Sequence, residues 1–121
     1  MIVLRFSSDK SYEILEFDEY TFKRHFNLSK FIFLSVEGNH DLTVYYDKNS
    51  KENINYLGYY MRNKFYQENS LVRGDIFVLQ NDKKKMFTSN EINKLCWGFM
   101  DGENMYESNK LKNYDVDNLY N

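Results

Sequence analysis

Proline and alanine are absent from the 121 residues, and cysteine and tryptophan occur once each. Histidine occurs twice and glycine five times. One cysteine excludes an internal disulfide and any cysteine-cluster metal site, and it fits a reducing compartment. Five scattered glycines leave no room for a phosphate-cradling loop. The formal net charge is only -2, so no large field of one sign exists. That balance disfavours both a basic nucleic-acid binder and an acidic mimic of DNA. No apolar run approaches the roughly 18 residues needed to cross a bilayer. The opening residues MIVLRFSSDK lack the layout of an export signal, so a cytoplasmic location is expected. Missing alanine and proline, with abundant Asn, Lys, Tyr, Phe and Ile, matches an AT-rich coding sequence.

What the chain does contain is aromatic. Hydrophobic residues make up 42% and aromatics 18%, enough to argue against disorder despite a mean hydropathy of -0.71. The length suits one core and not two.

The period-two alternation of Met1 to Phe6 predicts a strand, and Tyr12 to Phe17 can return beside it as a hairpin. Asp18 offers a cap for a short helix to about Asn27, with Phe22 and Phe26 on one face. Phe31 to Val36 is apolar on both faces, which predicts a central strand. A turn at 37–41 joins it to the alternating Leu42 to Tyr46. Asn53 or Asn55 can cap a helix to about Tyr66 with the stripe Ile54, Leu57, Met61 and Phe65. Asp75 to Gln80 predicts another strand. Thr88 and Glu91 have capping-box spacing before a helix whose face is Ile92, Leu95, Cys96, Phe99 and Met100, and Gly102 is the expected stop. The expected architecture is α+β, a single domain with a mainly antiparallel sheet of four or five strands and about three helices. Residues 1–102 form its body. Residues 103–121, acidic and poor in apolar residues, form a loosely held tail.

Catalytic chemistry is thinly represented. A nucleophile needs a base beside it. His25 falls within an expected helix, and His40-Asp41, in a turn, is the one pair worth naming; a solvated turn explains the same residues. Cys96, on an apolar stripe, reads as a core thiol. Metal sites need three or four convergent ligands, and only the acids Glu13, Glu16, Asp18 and Glu19 are dense. A solvated strand edge and helix start is the better account of them. Arg73-Gly74-Asp75 is read as a bend at a strand start. No cofactor, metal or catalytic residue is assigned, and an enzyme is not expected.

The aromatic surplus carries the functional reading. Tyr and Trp are rigid, amphipathic anchors that dominate binding hot spots. Tyr56, Tyr59, Tyr60 and Arg62 fall off the apolar stripe of their helix, and Trp97 falls off the stripe of the next. These five are the candidate partner-binding residues. Tyr59 and Arg62, three apart, are expected to be reachable from one side.

From about Phe31 to Phe99 the order of segments FIFLSV, LTVYYD, ENINYLG, VRGDIFVL and FTSNEINKL resembles a family of small phage and conjugative-element domains. Those domains are encoded among antirestriction and accessory genes. The family's Asn-Arg pair after the second strand is not matched, since Asn55 is followed by Tyr56, and no catalytic residue carries over. The resemblance implies a host-cell cytoplasmic setting and a protein partner. The expected function is a non-enzymatic inhibitor that binds a host protein, an immune effector in the anti-defence or anti-CRISPR manner. Two other readings stay open: a nucleotide-signal sponge using Arg62, Arg73 or Lys94, and a small enzyme on nucleic acid or nucleotides using His40. Direct nucleic-acid and membrane binding are not expected, and a homodimer is compatible with the sequence.

Overall fold

The computed structural model describes residues 1–18, 20, 22, 28–34, 41–66, 69–82 and 85–120. Within them the chain forms strands β1 (Ile2–Phe6), β2 (Tyr12–Glu16), β3 (Ser29–Leu34) and β4 (Asp41–Tyr46), helix α1 (Tyr56–Tyr66), strand β5 (Ile76–Gln80) and helix α2 (Ser89–Tyr120). The five strands make one sheet in the order β2-β1-β5-β4-β3, antiparallel throughout. The protein is therefore an α+β domain with a five-stranded antiparallel sheet and, among the described residues, two helices.

Alternation sorts the strand residues onto two faces. Leu4, Phe6, Val78, Ile76, Leu42, Val44, Phe31 and Phe33 point to one face and form a core with Leu57 and Met61 of α1 and Ile92 and Phe99 of α2. Val3, Phe77 and Leu79 point to the other, where Phe22 seals a smaller core flanked by Phe17, Leu28 and Tyr45. Strand β5 is buried at all five positions because it lies in the middle of the sheet with both faces covered.

Local signals place the helices. Asn55 caps α1: its Oδ1 accepts the Gly58 amide at 3.0 Å. Its Nδ2 also donates to the carbonyls of Phe6 (3.0 Å) and Gly74 (2.8 Å), tying the helix start to β1 and to the β5 approach. At α2 the capping box forms as expected. The Glu91 amide donates to Thr88 Oγ1 at 3.1 Å, and the Thr88 amide donates to Glu91 Oε1 at 3.3 Å. Gly74 takes φ +78°, and an added Cβ would meet Glu52 Oε2 at 2.7 Å, so Arg73-Gly74-Asp75 is a bend, as read.

Several expectations are corrected. Phe31 to Val36 does not supply a central strand: β3 lies at one end of the sheet, where Ile32 is exposed. Ile54 precedes α1, in a bridge to Arg73, and is not part of that helix's stripe. Gly102 does not end α2, which runs to Tyr120. A Cβ at Gly102 would lie 1.8 Å from the Tyr56 carbonyl oxygen, so this glycine serves a close helix crossing and not a stop. Met100 is not on the buried face: it is 63% exposed, about a quarter turn away from Phe99. Residues 103–111 continue the helix, and Tyr106 and Asn109 pack on α1. The expected helix from Asp18 to Asn27 lies mostly outside the described residues, although the Phe22 amide does donate to the Asp18 carbonyl at 2.9 Å. His25, His40 and most of the turn at 37–41 also lie outside them.

Candidate interaction surface

The two helices cross closely because two glycines line the contact. A Cβ on Gly98 would approach Leu57 Cδ1 to 2.5 Å, and Gly102 abuts the Tyr56 backbone. Three of the five candidate residues are drawn into this seam and its surroundings. Tyr56 is half-buried, its ring 5.8 Å from that of Tyr106. Burial pushes its phenol pKa up, and the nearby Glu103 carboxylate adds to the rise. Tyr60 lies 6.3 Å from the Phe33 ring on one side and has the Lys64 ammonium 5.1 Å from its own ring centroid. Neither side chain is a free anchor.

Tyr59 is the clear correction. It is 0% exposed, so it cannot be reached from outside as expected. Its hydroxyl donates to Asn69 Oδ1 at 2.6 Å and accepts from Asn109 Nδ2 at 2.7 Å, and its ring meets Tyr106 edge-on at 5.6 Å. Leu57 points to the sheet, and Tyr59 stands nearly opposite on the helix. The cover over it comes from Tyr106 and Asn109, beyond the glycine where the sequence reading ended α2. Arg62 holds its guanidinium 5.7 Å from the Phe31 ring centroid, a cation–π contact at the rim of the core. Arg73 donates to the Glu52 carbonyl at 3.0 Å. Two of the three cations named for a phosphate are thus engaged within the fold.

Trp97 alone of the five stands clear, 66% exposed on the outer side of α2. Asn93, Lys94, Asp101 and Asn104 are exposed around it, and exposed Met100, three residues on, adjoins it on one side. The backbone beneath is fixed by the capping box one end away and by the Gly98 crossing next to it. Cys96, on the inner flank, is half-buried, and burial pushes its thiol pKa up, which suits a packed residue better than a nucleophile. Among the described residues no three His, Cys, Asp or Glu side chains converge on a metal position. Glu13 instead pairs with Arg5, which also stands 3.9 Å from Asp75.

A second exposed apolar area was not singled out in the sequence. Tyr12 and Ile14 of β2 are 48% and 57% exposed. They stand opposite Phe6 and Leu4, on the helix-bearing face, where neither helix reaches. Alternation reveals that Tyr12 and Ile14 share a face, but only the sheet order shows that this face lies beyond the helices. No family model, curated protein or solved structure matches the chain.

Proposed function

We propose that this protein is a non-enzymatic binding module whose anchor is Trp97. The observation that carries the reading is that one large aromatic is held in water on a capped helix, beside exposed Met100 and otherwise among polar side chains. Such a residue gains most by entering a pocket on a partner, since hot spots are built from buried Trp, Tyr and Arg with a polar surround. The resemblance over residues 31–99 directs the choice of partner to a host protein, an immune effector, with inhibition as the consequence of binding.

Mixing the purified protein with candidate host defence complexes, followed by size-exclusion chromatography, tests the proposal. Co-elution that is lost with Trp97→Ala supports it. Truncating an anchor of this kind costs about 2 kcal/mol, roughly a thirty-fold loss of affinity. Failure to co-elute with any complex, or binding indifferent to Trp97→Ala, counts against it.

A further inference from the structure

We propose that a second copy of this chain docks on the outer edge of β2, antiparallel about Ile14, joining two five-stranded sheets into one of ten strands. The inference stands apart from the role given to Trp97.

The backbone sets the edge. Phe17 donates to the Met1 carbonyl and Ser7 to the Ser11 carbonyl, both at 2.9 Å. These bonds fix the parity of the β1–β2 ladder, so Glu13 and Leu15 exchange their bonds with β1. The N–H and C=O groups of Tyr12, Ile14 and Glu16 therefore point outward, at the end of the sheet order. Edges of this kind are normally guarded by proline, charged side chains or a bulge. Strand β2 (YEILE) has no proline or lysine, its charges are Glu13 and Glu16 alone, and its register with β1 is unbroken from Ile2–Glu16 to Phe6–Tyr12.

The same residues carry the exposed apolar side chains. Helix α2 lies over β1, with Phe99 and Phe6 rings 6.0 Å apart, and α1 packs on the Gly98–Gly102 side. By helical rotation the flank of α2 away from α1 carries Met100, 63% exposed, on the side of β2. Tyr12 and Ile14 of the strand and Met100 of the helix are the exposed apolar side chains on this side of the sheet.

A second copy suits this edge better than an unrelated strand. Among the described residues neither backbone group of Ile14 is paired, so it can sit on a two-fold axis and exchange two hydrogen bonds with its own mate. Tyr12 then opposes Glu16 of the other copy, its hydroxyl within reach of that carboxylate. On the reverse side Glu13 opposes Leu15 of the other copy and lies only diagonal to the other Glu13, and it is already paired with Arg5. Across the seam β1 and its mate would be three strand spacings apart, about 14 Å. Helices pack at about 8–10 Å, so the two α2 helices leave a gap that Met100 and Tyr12 of both copies fill. With half-exposed aromatic and aliphatic side chains offering on the order of 100 Å² each, plus the strand edge, two copies reach about 1,000 Å². That is the lower bound for a specific interface.

The test uses the full chain. Sedimentation equilibrium from low micromolar concentration upward should give a mass approaching twice 14.7 kDa. Ile14→Lys, at an exposed position, should return the protein to a monomer with its circular dichroism unchanged. Register is read independently by cross-linking in a Cys96→Ser background. Ile14→Cys should form an intermolecular disulfide, because directly opposed, hydrogen-bonded residues stand about 5.5 Å apart, within disulfide reach. Glu13→Cys should not, because its mate lies on the diagonal at about 7–8 Å. A monomeric mass at every concentration overturns the proposal. So does a dimer untouched by Ile14→Lys, or cross-linking through Glu13→Cys in place of Ile14→Cys. Trp97→Ala should remain dimeric, so a failed partner search leaves this outcome separate.

Discussion

Replacing Gly102 by alanine should destabilise the protein, although the same change inside an ordinary helix adds about 1 kcal/mol of stability through propensity. The new Cβ would stand 1.8 Å from the Tyr56 carbonyl oxygen and 2.7 Å from its carbon. Both atoms are backbone, in the first turn of α1, and cannot rotate away. The helices must separate by more than an ångström, which loosens Leu57, Tyr60 and Tyr106 together. Overpacking of this kind costs about 1–3 kcal/mol and more when backbone must move. Since backbone must move here, the cost is about 3–4 kcal/mol; less the propensity gain of about 1, the net loss is about 2–3 kcal/mol, a fall in Tm of roughly 10 °C for a chain of this size. Gly98→Ala is the control. Its nearest neighbour, Leu57 Cδ1 at 2.5 Å, is the end of a side chain that can swing aside, so gain and loss should nearly cancel. Thermal melts and urea titrations of both variants give the order directly. A Gly102→Ala protein that melts at or above the parent temperature would refute the close crossing of α1 and α2.

Three further outcomes follow from buried contacts. Tyr59→Phe should lower stability by about 1–2 kcal/mol in urea titration, because Asn69 and Asn109 lose a shared partner; an unchanged midpoint would mean the hydroxyl is not bridged. Asn55→Ala should cost more, about 3 kcal/mol or above, since the buried Phe6 and Gly74 carbonyls and the Gly58 amide all lose their partner at once. Deleting residues 103–121 should lower the melting temperature markedly by stripping Tyr106 and Asn109 from α1; a melt matching the full chain would show that α2 contributes nothing beyond Gly102.

The strands, the capping box at Thr88 and the Asn55 cap were legible because each depends on neighbours within a few residues. Period-two alternation alone places Leu4 and Phe6 inward, and Thr88 with Glu91 announces a helix start without tertiary help. What could not be read depends on which elements meet. Gly102 has the same sequence appearance whether it stops a helix or lets another backbone approach; only the position of Tyr56 distinguishes the two. Tyr59 lies off the apolar stripe, and it is buried because α1 is covered on a second side by the far half of α2. Periodicity finds one buried face per helix, so a second escapes it. Trp97 was legible as an off-stripe aromatic. Its separation from the tyrosines of α1 was not.

The position of β5 bears on how the chain finds its fold. It is the last strand to be synthesised and the middle one of the sheet, bonded to β1 on one side and β4 on the other. Until Ile76 to Gln80 leave the ribosome, the chain can hold two separate hairpins with no common partner between them. Their apolar faces stay wet, and β1 and β4 each present an unpaired inner edge. Joining them closes a loop longer than half the chain in a single event, an entropic toll that slows assembly of sheets built on distant pairings. The order of emergence thus makes β5 a keystone set last, and a nascent chain halted ahead of it carries the other four strands as two hairpins that nothing joins.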